Sequence, residues 1–404
     1  MAAYDCRKTS GTLLFKDEAG RPLVNATLHV EQTGHDFLFG CGAFDAVPAA
    51  NDKRDDPFFR DRIDKWLKLF NYGTLPFYWG GYEPEEGKPA LESRMNAARY
   101  LTERGTRVKG HPLCWHTACA NWLLKYDDST ILDKQLARIH RDVSAFAGVI
   151  DMWDVINEVV IMPDFDRYDN AITRICRRYG QVELVKQVFA AAKAANPNAV
   201  LLINDFNLSE KYATLIERCL DAGVPIGAIG LQTHQHQGYM GEAALLEILK
   251  RFERFGIPLH FTENTLVSGH LMPPHIVDLN DYQIPEWPST PEGEARQARE
   301  LEEMYRLLFD HPLVEAVTGW DFSDGMWLGA PSGVIARDNR LKPAYLALER
   351  LIKREWHTTL DVRTDERGCA RVSGFKGAYH VSDGQRSGAF HLGKSDSAAE
   401  VILA

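Results

Sequence analysis

Eight short apolar runs separated by amphipathic stretches predict an α/β fold, a (β/α)8 TIM barrel closed by parallel strands. Nearly every run ends in polar or aromatic residues, as expected where a barrel gathers its chemistry at the C-terminal ends of its strands. No Gly-rich phosphate-binding turn follows the first run, which argues against a doubly wound sheet.

The strands are expected near residues 37–42, 69–75, 108–114, 150–157, 200–205, 228–232, 259–263 and 316–320. Residues 91–104, 131–146, 168–195, 208–222, 242–255, 292–309 and 345–355 space their apolar side chains as helices do. Ahead of the barrel (36–355), residues 1–35 read as a small N-terminal β hairpin, with strands at 11–15 and 26–32 joined through a turn at 18–22. Residues 356–404 read as a C-terminal β-rich appendage with strands at 358–362, 369–375, 377–381, 388–392 and 399–403, packing on the barrel or the hairpin. A long connection, 264–291, carries Trp287 and several prolines and is expected to wall the substrate site.

The 404 residues suffice for such a barrel with small additions. A formal net charge of -10 without any Lys/Arg-rich stretch argues against nucleic acid or an anionic membrane as partner and leaves room for a neutral substrate. The seven cysteines are scattered and odd in number, so neither a disulfide framework nor a zinc ribbon is expected. The N-terminus lacks the apolar core of a signal peptide and no apolar run reaches about 18 residues. A soluble chain is expected, secreted or periplasmic if a leader was removed.

Two glutamates end predicted strands, Glu158 after Trp153-Asp154-Val155-Ile156-Asn157 and Glu263 after Leu259-His260-Phe261-Thr262. A strand-end carboxylate can simply be solvated or cap the next helix. Two of them presented to one cleft can instead serve as the acid and the nucleophile of a glycosidase.

The surrounding motifs resemble those of the family 10 glycoside hydrolases, retaining endo-β-1,4-xylanases. Gly110-His111-Pro112-Leu113-Cys114-Trp115-His116 looks like the third-strand motif and Trp153 to Glu158 like the acid/base motif. Asn204-Asp205-Phe206-Asn207 is similar to the fifth-strand motif and Gly230-Leu231-Gln232-Thr233-His234 to the sixth. Glu263 falls at the nucleophile, Trp320 on the eighth strand and Lys342-Pro343-Ala344-Tyr345 on the last helix.

The resemblance implies Glu158 as acid/base and Glu263 as nucleophile. Asn157 is implied to meet the sugar 2-hydroxyl, His234 to hold the nucleophile, and Gln232 to orient that carboxylate or the sugar. Trp115, Trp320 and Trp327 offer stacking faces, His111 a donor to ring hydroxyls, and Tyr78 a place in the substrate site. His116 and Asp154 support these groups from behind, and Asn204 is expected to orient the acid/base. No cofactor or metal is implied; the substrate is a polysaccharide or oligosaccharide.

Three departures stand out. Thr74-Leu75-Pro76-Phe77-Tyr78-Trp79 replaces the family's Glu-Asn-Glu-x-Lys-Trp, so that Tyr78 stands where the lysine would be. Ala118 replaces a glutamine, and Thr265 an aspartate that usually supports the histidine. These changes admit a non-xylan β-glycoside, or a sugar-binding barrel without turnover, as rival readings. The His234-Gln235-His236 pair, with His111 and His116, is the remaining alternative, a metal-dependent hydrolase.

Overall fold

The computed structural model describes residues 4–393 and 400–404. The chain opens with β1 (Lys8–Asp17) and β2 (Thr27–His35). The barrel follows as β3 (Leu38–Gly42), β4 (Tyr72–Pro76), β5 (Arg107–His111), β6 (Met152–Asn157), β7 (Val200–Asp205), β8 (Ala228–Gln235), β9 (Leu259–Leu266) and β10 (Val314–Gly319). These eight strands close in sequence order, β10 pairing with β3, and all their pairings are parallel. The (β/α)8 barrel read from the sequence is the fold.

Differences from the expected elements have local causes. Leu69, placed by the apolar pattern at the start of a strand, closes a further helix, Pro57–Leu69. Asp56 caps that helix by accepting the Phe58 N–H at 3.0 Å, Pro57 sits in its first turn, and Ile63, Trp66 and Leu69 bury one face. The long helix expected over 168–195 is two helices, Ala171–Tyr179 and Gln181–Ala195, broken at Gly180, whose φ of 84° no helix accommodates. β8 and β9 both run past their expected ends because they keep pairing with each other beyond a bulge, Gln232 opposite Glu263 through Gln235 opposite Leu266. Glu263 therefore lies within a paired strand, a more rigid seat than a strand end.

Five more strands complete the fold: β11 (Thr359–Arg363), β12 (Cys369–Phe375), β13 (Gly377–Ser382), β14 (Ser387–Leu392) and β15 (Glu400–Leu403). Ala399, expected to start the last of them, lies outside the described residues. The expected pairing of the two N-terminal strands into a hairpin is corrected. β1 lies between β12 and β15, whereas β2 lies between β11 and β13 with β14 beyond. Each N-terminal strand has one apolar face, and the connection after Asp17 crosses between sheets so that these faces meet. Leu13 and Phe15 pack with Leu28, Val30, Val372, Val381 and Leu403 in a core of their own. The outward face of the larger sheet exposes His29, Glu31, Asp361 and His380.

Arg7 ties this β sandwich to the barrel by donating to the carbonyls of Phe309 (2.6 Å), His311 and Val314 (both 2.5 Å). Among the described residues no helix is long and apolar enough to cross a membrane.

Candidate active site

Glu158 is the first residue beyond β6. Its φ is 55°, a left-handed conformation unusual for a residue other than glycine, and its main-chain N–H donates to the Asn204 carbonyl at 2.8 Å. Its Oε2 accepts the Trp115 indole N–H at 2.8 Å, while Gln232 Nε2 lies 3.5 Å from Oε1. Burial pushes the carboxyl up to about 8, and the facing charge of Glu263 adds to that. At neutral pH Glu158 is a carboxylic acid.

Glu263 is held the opposite way. Asn204 Nδ2 donates to Oε1 at 2.8 Å, His234 Nε2 donates to Oε2 at 3.1 Å, and His111 Nε2 stands 3.9 Å from Oε1. Burial works to raise its pKa, but His111, the His234 hydrogen bond and Lys109 outweigh it and hold the group below the ordinary carboxylate range. The surroundings of half-buried Glu158 and buried Glu263 thus push the two carboxyls in opposite directions.

A polar lattice fixes both. Asn157 Oδ1 accepts from Asn204 Nδ2 (2.7 Å) and Gln232 Nε2 (3.0 Å), which orients its amide, and its Nδ2 has no partner among the described residues. Thr262 donates to Asn204 Oδ1 at 2.6 Å and so fixes that amide too. Fully buried Asp154 takes Lys109 Nζ at 2.6 Å and His111 Nδ1 at 2.7 Å on one oxygen, aiming His111 toward Glu263.

Aromatic rings surround the residues that hold the two carboxyls. Tyr78 meets His111 edge-on (5.7 Å between centroids) and leans on Trp115 (5.6 Å). Trp320 packs edge-on against His111 (5.2 Å) and His234 (6.1 Å), and Trp327 lies 4.5 Å from His234.

Every residue singled out from the sequence thus joins one connected cluster by hydrogen bond, ion pair or ring contact, His116 only at its margin through the Trp115 ring at 6.2 Å. His116 is buried behind Trp115, against Phe165 at 4.5 Å, and burial pushes its ring down to about 4. The Asn204 side chain goes to Glu263 rather than to Glu158, which it reaches through its main chain. Gln232 reaches Asn157 and Glu158 rather than Glu263. The long loop over 264–291 folds onto its own core, where Val267, Met272 and Trp287 meet Ala330. Trp287 stands 6.0 Å behind His236.

Lys109, Thr262 and Thr265 belong to the cluster without having been singled out for a role. Their signal was a polar side chain inside an apolar strand run. Thr265 Oγ1 lies 3.3 Å from both His234 Nδ1 and His236 Nδ1 and accepts the Gln235 N–H at 3.2 Å. Among the described residues no group of three His, Cys, Asp or Glu is placed to hold a metal ion.

A TIM barrel that brings together two glutamates of opposed acidity among aromatic rings has the arrangement glycoside hydrolysis needs. The model of glycosyl hydrolase family 10 matches residues 77–350, and the chain belongs to that family. It is 26% identical over 290 residues to endo-1,4-beta-xylanase B of Thermotoga neapolitana, covering 68% of this chain and 78% of that one. With endo-1,4-beta-xylanase 2 of Arabidopsis thaliana it shares 24% identity over 98% of its own length but spans only 35% of the relative. A family 10 structure from Paenibacillus barcinonensis superposes with a TM-score of 0.65 at 24% identity, over 79% of this chain and 96% of that one, a likeness of fold.

Proposed function

We propose that the protein is a retaining endo-β-1,4-xylanase acting on xylan or decorated xylo-oligosaccharides, with Glu158 as acid/base and Glu263 as nucleophile. The reading is supported by the seating of the two carboxyls, Glu158 under the Trp115 indole and Glu263 between Asn204 and His234, in a chain of glycosyl hydrolase family 10; their opposed acidity suits an acid and a nucleophile.

In the first step Glu263 attacks the anomeric carbon while Glu158 gives its proton to the departing glycosidic oxygen, leaving a glycosyl ester on Glu263. Esterification removes the charge of Glu263, one of the causes that keep Glu158 protonated. The pKa of Glu158 therefore falls, so the carboxylate left by the first proton transfer stays ionised and free to take the proton of the water that cleaves the ester. The unpartnered Nδ2 of Asn157 is the donor for the sugar 2-hydroxyl, a contact that strengthens in the transition state. Trp320 and Trp327 give the sugar its apolar walls.

Product analysis after incubation with unsubstituted xylan, glucuronoxylan, arabinoxylan and xylohexaose tests the substrate, and proton NMR of the first-formed anomer tests the stereochemistry. Short oligosaccharides released with β configuration are expected. The aromatic Tyr78 at a family lysine position favours a second reading, another β-glycoside as substrate, and hydrolysis of aryl β-glycosides without any release from xylan would establish it.

A further inference from the structure

We propose that Asp205 is a positioning residue for Glu158: its buried carboxylate clamps the main chain just beyond Glu158 to the main chain just beyond β7 and so holds the left-handed turn that aims the acid/base carboxyl. The proposal rests on the assignment of Glu158 given above.

A non-glycine residue at φ 55° persists only where its surroundings over-determine it. Asp205 Oδ2 accepts the Val160 N–H at 2.9 Å, two residues past Glu158, and Oδ1 accepts the Asn207 N–H at 2.8 Å. Gln181 Nε2 holds the carbonyls of Val159 (2.8 Å) and Val160 (3.1 Å) from the other side, and the Glu158 N–H is fixed on Asn204. Asp205 is fully buried, and no cation pairs with it among the described residues. Two N–H donors aimed at two separate oxygens need a carboxylate, because an asparagine offers one acceptor and one misplaced donor. This explains an otherwise costly buried charge.

The same charge acts through space. Glu158 is faced by Glu263 from β9 and Asp205 from β7, both of which raise its pKa, and by the N–H donors of Trp115 and Gln232, which lower it. His111, His234 and Lys109 act on Glu263. Burial pushes Asp205 itself up to about 7, so its charge is present where Glu158 titrates.

The test is the titration of Glu158 by NMR in 13C-glutamate-labelled protein, assigned with Glu158→Gln, in the wild type and in Asp205→Asn and Asp205→Ser. A wild-type midpoint near 8 should fall by about one unit or more in the variants, as expected for the loss of a like charge. In parallel, kcat/KM on aryl β-xylosides should drop about tenfold or more for poor leaving groups, which need the acid, and far less for dinitrophenyl. An unmoved midpoint with an even loss across leaving groups would overturn the proposal. So would failure of both variants to fold, since a carboxylate required by the whole barrel is not a positioning device. A wild type inactive on every β-glycoside, with the midpoint still falling in the variants, would sink the xylanase reading and leave the clamp standing.

Discussion

Asn204 joins Glu263 to the loop that begins at Glu158. Its Nδ2 donates to Glu263 Oε1 at 2.8 Å while its carbonyl accepts the Glu158 N–H at the same distance. The side-chain bond is the one a substitution removes. Asn204→Ala deprives a buried carboxylate of a donor, a loss of about 1–3 kcal/mol. The expected outcome is a fall in kcat of about 10- to 100-fold on xylohexaose with KM little changed, since the cost falls on the charge that reacts.

The pH profile follows from the two carboxyls. In the proposed mechanism Glu158 must carry its proton, so kcat/KM should fall as pH rises through about 8. Glu263 must be ionised, so the acid limb lies below the ordinary carboxylate value of 4.5. Initial rates from pH 3 to 10 check both limbs; an alkaline limb near pH 5 would contradict the environment described for Glu158.

Lys109 supplies a positive charge with no access to solvent. Replacing it with Met leaves Asp154 buried with His111 alone and should cost about 3–5 kcal/mol of stability, as breaking a buried pair does. It also withdraws a charge that holds Glu263 ionised, so the acid limb of kcat/KM should move to higher pH in Lys109→Met. Thermal melts and a pH-rate series separate the two effects.

How far the site could be read from the chain depends on how local its determinants are. The barrel and its two glutamates were legible because strand ends and motif residues are written in contiguous segments. The helix Pro57–Leu69 was legible too, with Arg60, Asp61, Asp64 and Lys65 on its outer face and Ile63, Trp66 and Leu69 at three-residue spacing on its buried one. Pairing of β1 with β12 joins residues more than 350 positions apart, and nothing near Lys8 or Phe375 announces it. The Asn204 side chain reaches Glu263 59 positions along the chain, a long-range contact that no local pattern encodes.

Thr265 illustrates a departure whose consequence only the structure reveals. Its hydroxyl stands within 3.3 Å of Nδ1 on both His234 and His236, so a neutral group anchors the ring that holds Glu263. Thr265→Ser keeps that hydroxyl and should retain most activity. Thr265→Val keeps the shape but takes the hydroxyl from both ring nitrogens, half-buried at His234 and buried at His236, and should lower kcat about tenfold or more. Equal rates for the two variants would show that the hydroxyl does not position His234.

The protonated state of Glu158 also has a stability signature. Its pKa is raised from 4.5 when unfolded to about 8 when folded. Between those values the folded protein keeps a proton that the unfolded chain has lost, so stability declines as pH rises from about 4.5 to 8. Glu158→Gln cannot ionise and escapes that decline. The variant should therefore melt at a higher temperature than the wild type, with a gap of several degrees at pH 8 that narrows toward pH 5. Because glutamine keeps an acceptor for the Trp115 indole N–H, the gap reports ionisation rather than lost packing. Melting curves at the two pH values decide the matter: a gap of the same size at both would mean that Glu158 is already ionised at pH 5.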